Sequence, residues 1–159
     1  MPASKKSTHS IEKINRSSMS DNEEMATQEN NLFVSPIAEP LMAGKLYSKT
    51  LKLVRKAAEA KSIRRGVPEV VKAIRKGQKG VVILAADVFP VEVLAHLPIF
   101  CEEKNVVYSY VPSRQALGTA CLTKRAASAI MVFEPKGDSS YQKYYDVVAK
   151  GMRNINKYI

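Results

Sequence analysis

Little in this chain equips it for covalent chemistry. Its 159 residues include two cysteines, Cys101 and Cys121, and two histidines, His9 and His96. The thiols show no metal-ligand spacing, and two are too few for a disulfide framework. Both lie in apolar stretches and read as buried, reduced thiols, which suits cytosol or nucleus. His96 sits on an apolar helical segment and reads as a buried, satisfied imidazole rather than a ligand or base. Close carboxylates in the folded part are limited to Asp87 with Glu92 and Glu102 with Glu103. Neither group has the nucleophile, metal-ligand cluster or cationic partner that acid–base work needs. Asp87 closes a strand before a proline-containing turn, so helix capping is its expected role. The segment Gly77-Gln78-Lys79-Gly80 leads out of a helix into a strand. A phosphate loop runs the other way, so that its N–H groups gather at a helix N-terminus. The longest apolar run, Val81 to Ala86, is far short of the roughly 20 residues that span a bilayer, and no leading apolar stretch resembles a secretory signal. These absences point away from an enzyme, and from any cofactor, metal or membrane partner.

Acidic residues are scarce where basic ones are dense. The chain carries 25 Lys and Arg against 15 Asp and Glu, a formal charge of +10, with an isoelectric point near 9.6. Residues 45–79 hold twelve of those cations and only two acids, Glu59 and Glu69, so this segment alone carries +10. Such a surface attracts a polyanion and releases its counterions, the sequence-independent part of nucleic-acid affinity. Glu69 stands out within it. A carboxylate repels phosphate, so on a binding face it would read base donors. As a bland alternative, a first-turn carboxylate is favoured by the helix dipole.

Composition divides the chain. Residues 1–31 are rich in Ser, Asn, Thr, Gln and Glu, with four cations against five acids and no helical or strand period. They are expected to be a disordered polar tail. Residues 32–44 combine two prolines with apolar side chains and read as an extended strap. Residues 45–159 are expected to form one domain.

Within that domain, helices alternate with strands. Lys45, Lys49, Lys52 and Lys56 line one side of a helix over 46–60, with Leu46, Leu51, Val54 and Ala58 towards another. A short edge strand is expected over 62–65. Gly66 turns the chain, and Pro68 suits the first turn of a second helix that ends at Gly77. Val81 to Ala86 reads as a central strand covered on both faces. A helical stretch over 90–104 with a break at Pro98 follows, then a strand over 106–111. Ser113 caps a helix running to Leu122, and 129–133 form a last strand. Tyr141, Tyr145, Val148, Met152, Ile155 and Ile159 recur at helical spacing in a C-terminal helix. The fold class is α/β, a three-layer α/β/α sandwich with a small mixed sheet.

Several separated motifs add to this reading. They are Arg65-Gly66-Val67-Pro68-Glu69-Val70-Val71-Lys72, Leu84-Ala85-Ala86-Asp87, His96 to Asn105, and Val111-Pro112-Ser113-Arg114-Gln115-Ala116-Leu117-Gly118. In order and spacing they resemble the ribosomal-protein family that binds kink-turn RNA, over roughly residues 41–133. Within the family the likeness is greatest to the RNA-binding core subunits of eukaryotic H/ACA small nucleolar ribonucleoproteins. The Pro36–Leu41 strap, the start of the second helix, Thr123-Lys124-Arg125 and the C-terminal helix support that choice. Ala85-Ala86-Asp87 and Arg114 to Cys121 look more like the box C/D and spliceosomal branch. That branch and a large-subunit ribosomal protein are the alternatives.

The resemblance implies an RNA site made by the start of the second helix and the loop before the last strand. Carried onto this chain, Glu69 would accept from a guanine edge and Lys72 would meet phosphate or a base acceptor. Arg65 would belong to the site, Gly66 would let backbone approach backbone, and Val93 would pack on a splayed base. Arg114, Lys124 and Arg125 would hold phosphate or sugar, and the adjoining Ala126 would belong to the same RNA-binding loop. The resemblance further implies H/ACA guide RNA as partner, with a pseudouridine synthase subunit and a small bridging subunit. It implies a nucleolar location and a monomer outside the particle. Two departures stand at the site. Pro68 replaces the family's base-reading Asn, and Phe89 replaces an acidic residue of the strict kink-turn binders. The late loop also lacks a proline typical of the branch. Broad sequence tolerance is the expected consequence.

Overall fold

The computed structural model describes residues 33–159. The expectation for the 1–31 tail therefore lies outside the described residues. Nine elements follow in order: α1 (Gly44–Glu59), β1 (Ile63–Arg65), α2 (Val67–Arg75), β2 (Gly80–Ala85), α3 (Glu92–Glu103), β3 (Val107–Val111), α4 (Arg114–Ala120), β4 (Ala129–Phe133) and α5 (Gln142–Ile155).

The four strands form one sheet in the order β1-β4-β2-β3. β2 and β3 run parallel, with Val81 opposite Val107 and Ala85 opposite Val111. β4 runs antiparallel to both β2 and β1, so the sheet is mixed. Helix α1 packs on both α4 and α5, and α2 packs on α3, giving the two outer layers. Covered on both faces, Val81 to Ala85 are all buried, as a continuous apolar run requires. Residues 40–42 run beside β3: Tyr110 N–H donates to the Pro40 carbonyl at 2.9 Å and Met42 N–H to the Tyr110 carbonyl at 2.8 Å. This segment occupies the edge that β3 would otherwise expose.

Four local expectations are corrected. The buried stripe of α1 is Tyr47, Thr50, Leu53, Val54 and Ala57, with Leu46 and Leu51 only partly covered. The stripe is set by contact with α4, α5 and β1, which spans more of the helix than a four-residue count suggested. α3 continues through Pro98 rather than breaking there. His96 is exposed, not buried, because Leu94, Leu97 and Cys101 take the inward side of α3. α5 ends at Ile155, leaving Ile159 beyond the helix and partly exposed. Cys101 and Cys121 are both buried free thiols. Burial, with Glu102 nearby, pushes the Cys101 thiol up to about 12.

Candidate nucleic-acid interface

Strand direction decides what meets at each end of the sheet. β2 and β3 finish where the antiparallel β4 begins, and β1 finishes there too. Gly66 N–H donates to the Ala129 carbonyl at 2.8 Å, Ala85 N–H to Ser128 at 2.9 Å, and Ala86 N–H to Val111 at 2.8 Å. This end therefore gathers the first turn of α2, the β2–α3 loop, the start of α4 and the loop preceding β4. It is the carboxyl end of the parallel strands, where ligands of open α/β sheets are generally met.

The α2 corner is built around Gly66. Its φ of +99° and ψ of 148° form the turn that aims α2 away from β1, and a side chain at that φ would be strained. Val67 opens the helix, Pro68 follows, and Glu69 completes the first turn. Pro68 has no N–H to offer a ligand or a cap. Glu69 Oε1 and Lys72 Nζ lie 3.1 Å apart as an i,i+3 pair, both at least half exposed. An exposed pair of this kind contributes about 0–1 kcal/mol to stability. Its larger effect here is to hold both side chains over the same turn.

The opposing loop is tied to α4 at several points. Asp87 Oδ1 accepts from the Arg114 backbone N–H at 2.8 Å, and Ser113 Oγ accepts from Ala116 N–H at 3.3 Å. The N-terminus of α4 thus has two side-chain caps. Asp87 does cap a helix, but one reached across the sheet rather than the one that follows it. Arg114 in turn accepts at its carbonyl from Ala127 N–H at 3.1 Å. Thr123 N–H donates to the Gly118 carbonyl at 3.3 Å, and Arg125 N–H donates to Thr123 Oγ1 at 3.1 Å. Gly118 lets this loop lie directly on α4: a β-carbon there would fall on the Arg125 carbonyl oxygen and within 3.0 Å of Ala126 Cα.

The structure brings the nine sequence-singled residues to this one end. Arg65, Glu69, Lys72, Val93, Arg114, Lys124, Arg125 and Ala126 are exposed there, and Gly66 is partly so. Val93 is 42% exposed, which removes the alternative that it is core. Arg65 lies close enough to Cys121 for its charge to oppose the burial that raises that thiol to about 11. Helix α1 presents Lys45, Lys49, Lys52 and Lys56 to solvent. Asp87 as the group that fixes Arg114 escaped the sequence reading, and Phe89, singled out there only as a replaced acid, proves to be a 78% exposed aromatic. Only the sheet pairing reveals that bond between Asp87 and Arg114.

The ensemble is a cationic and partly apolar surface with one carboxylate at a helix mouth. No group of three or more His, Cys, Asp or Glu able to hold a metal occurs among the described residues. Cavities of about 710 and 410 Å³ lie at the other end of the sheet.

Comparisons with known proteins bear on this geometry. The model of the ribosomal protein L7Ae/L30e/S12e/Gadd45 family matches residues 48–141. An H/ACA ribonucleoprotein complex subunit 2-like protein of Xenopus tropicalis is 46% identical over 114 residues, 72% of this chain and 74% of that one. H/ACA ribonucleoprotein complex subunit 2 of Bos taurus is 47% identical over 113 residues, covering 71% and 72%. The Arabidopsis thaliana subunit 2-like protein is 49% identical over 107 residues, covering 66% and 69%. Among solved structures, the Giardia lamblia 15.5kD RNA binding protein matches with a TM-score of 0.68 and 32% identity, over 79% of this chain and all of that one.

Proposed function

This chain belongs to the ribosomal protein L7Ae/L30e/S12e/Gadd45 family, and from that premise we propose that it is an RNA-binding core subunit of an H/ACA ribonucleoprotein. The observation that carries the reading is the meeting of Glu69, Lys72, Arg114 and Arg125 at one end of the sheet, in a chain 46–49% identical to proteins named for that particle.

The chain holds RNA rather than transforming it. Arg65, Arg114, Lys124 and Arg125 supply full positive charge on exposed side chains, which neutralises phosphate and makes binding fall with salt. Glu69 accepts from a guanine edge that the RNA must splay out of its stack to present. Lys72 leaves Glu69 to meet phosphate or a base acceptor, so the pair seen in the free chain opens on binding. Val93, and Phe89 beside it, offer apolar surface to an unstacked base, a contact worth about 1–3 kcal/mol for an aromatic platform. Gly66 and Ala126 keep the two sides of the site low enough for backbone to approach. With Pro68 and Phe89 in place of an amide and an acid, two base-reading contacts are gone. Selectivity for a kink-turn is accordingly low, and partner proteins direct the chain to its RNA.

In this reading the particle guides pseudouridine formation in ribosomal and small nuclear RNA, and its catalytic residues belong to a separate synthase subunit reached through a small bridging subunit. The expected location is the nucleolus. Crosslinking the chain in cells and sequencing the attached RNA tests the proposal. Enrichment of H/ACA guides supports it, while enrichment of box C/D guides or of mature ribosomal RNA overturns it.

A further inference from the structure

One sizeable cavity lies away from the RNA end. A groove of about 710 Å³ lies at the opposite end of the sheet, lined by Lys61, Lys79 and Lys136 with Glu134. A second cavity of about 410 Å³ shares Gly77, Gln78, Lys79 and Glu134 with it and adds Lys104 and Arg153. These two cavities form one depression around the Gly77–Gly80 segment. That segment has the residue types of a phosphate loop but not its helix-facing geometry.

The charge is too large to be spent on the helix ends. The C-termini of α1, α2 and α3 point towards this end, since Lys61, Gln78 and Lys104 follow them. Each contributes roughly half a negative charge, and the N-terminus of α5, beside the groove at Tyr141, returns roughly half a positive one. Five cations against one carboxylate leave four positive charges before these terms and about three after them. None of the five cations has an ion-pair partner within 4.0 Å among the described residues.

The groove also borders the open edge of the sheet. Strand β1 is the edge strand. It carries Arg65 at the RNA end and Arg64 in the middle, and it starts just after Lys61 at the groove. The Arg64 guanidinium lies 5.3 Å from the Phe133 ring centroid, and Phe133 lines the groove wall. Arg64 thus extends the positive charge of the groove along this edge towards the RNA end, while Arg65, next in the strand, points to the opposite face.

We propose that this depression is a second phosphate-binding site, which takes the backbone of an RNA segment continuing past the segment held at Glu69. The proposal rests on the RNA-binding reading above. It adds a contact that spans the length of the strands, roughly 20 Å. Occupied at both ends, the chain fixes the direction in which an RNA leaves the primary site, a property that base contacts at α2 alone do not supply.

Two probes separate the sites in the full-length chain: a kink-turn hairpin alone, and the same hairpin with an unpaired extension longer than the strands. The unaltered chain is expected to bind the extended RNA about tenfold more tightly. The triple variant Lys61→Gln/Lys79→Gln/Lys136→Gln is expected to lose that gain while binding the hairpin within twofold of the unaltered chain. Its salt slope on the extended RNA should fall by about 2, at roughly 0.7 per lost single-strand phosphate contact. The double variant Lys104→Gln/Arg153→Gln approaches the depression from its other wall and should act in the same direction. If the unaltered chain gains nothing from the extension, or the triple variant weakens both probes equally, the groove is not a site. Either result leaves the Glu69 site standing. Failure to bind the hairpin at all would bring down both.

Discussion

The Asp87 carboxylate holds the Arg114 backbone N–H at 2.8 Å, joining the end of β2 to the start of α4. Through the Arg114 carbonyl the same residue is bonded to Ala127, so one strand-end acid frames the loop that carries Lys124 and Arg125. Removing the acid uncaps α4 and loosens that frame. Asp87→Ala is expected to cost about 0.5–2 kcal/mol, the usual loss for a helix cap. RNA affinity should fall several-fold as well, read by filter binding below the melting transition. A lowered melting temperature with unchanged RNA affinity would confine Asp87 to a role in the fold.

Gly118 tests the same frame by steric means. Any β-carbon there meets the Arg125 carbonyl and Ala126 Cα, and these are backbone atoms that cannot rotate away. Gly118→Ala should therefore shift the 123–126 loop off α4 and destabilise the chain by about 1–3 kcal/mol, as overpacking does. The shift should be visible as amide chemical-shift changes concentrated at Thr123 to Ala127. Changes scattered over the whole sheet, or none, would count against direct contact as the cause.

Much of this arrangement could be read from residues alone, and the remainder has identifiable physical causes. Val81 to Ala86 read as an interior strand because the run has strand length, is rich in β-branched residues and is bounded by Gly80 and Asp87, and the strand observed is Gly80–Ala85. The α2 corner was legible because Gly66 and Pro68 restrict backbone angles independently of the rest of the chain. Pro98 misled for the converse reason. A proline removes one helical hydrogen bond, and the packing of Leu94, Leu97 and Cys101 on the sheet outweighs that loss. His96 and Ile159 were misplaced because periodicity identifies an apolar face but not how far its neighbours extend to cover it. The bond from Asp87 to Arg114 spans 27 positions and exists only once β2 and β3 are paired. No local pattern encodes it. The far groove is hidden in the same way, since Lys61, Lys79, Lys104 and Lys136 come from four different connections.

Buried thiols and phenols give the chain a definite response to alkali. Burial raises Cys101 from 9.0 to about 12, with Glu102 adding to the effect. Burial raises Cys121 from 9.0 to about 11 against the pull of Arg65. Burial, the hydrogen bond to Glu102 and nearby charge also raise Tyr108. A raised value in the folded chain means that the folded state keeps protons the unfolded state has lost. Stability is then full below 9.0, falls as pH climbs above that value, and is spent once the folded values near 11 and 12 are passed. Thermal melts across this range should show the decline, and Cys101→Val should make it shallower. A thiol-reactive dye should leave both cysteines unmodified in the folded chain at neutral pH. Rapid labelling there would contradict their burial.

Pro68 offers the most direct test of how this site chooses RNA. It stands second in α2, exposed, one residue before Glu69 and two after the positive-φ Gly66. At that position an asparagine would bring a backbone N–H and a side-chain amide, both within the first turn and both directed at the ligand side. The stability lost with the proline ring is about 0.4–1 kcal/mol, because only the freedom of the unfolded chain changes. The gain on RNA should be larger and selective. One base-edge contact discriminates by about 1–3 kcal/mol, so Pro68→Asn is expected to raise the preference for a kink-turn hairpin over a plain stem-loop about tenfold or more. Charge is unchanged, so the salt slope on both RNAs should stay where it was. If preference stays flat in Pro68→Asn but rises in Phe89→Glu, the missing contact lies in the β2–α3 loop instead. If neither substitution moves it, low selectivity has a cause outside this first turn and that loop, and the base-reading role given to Glu69 loses its support.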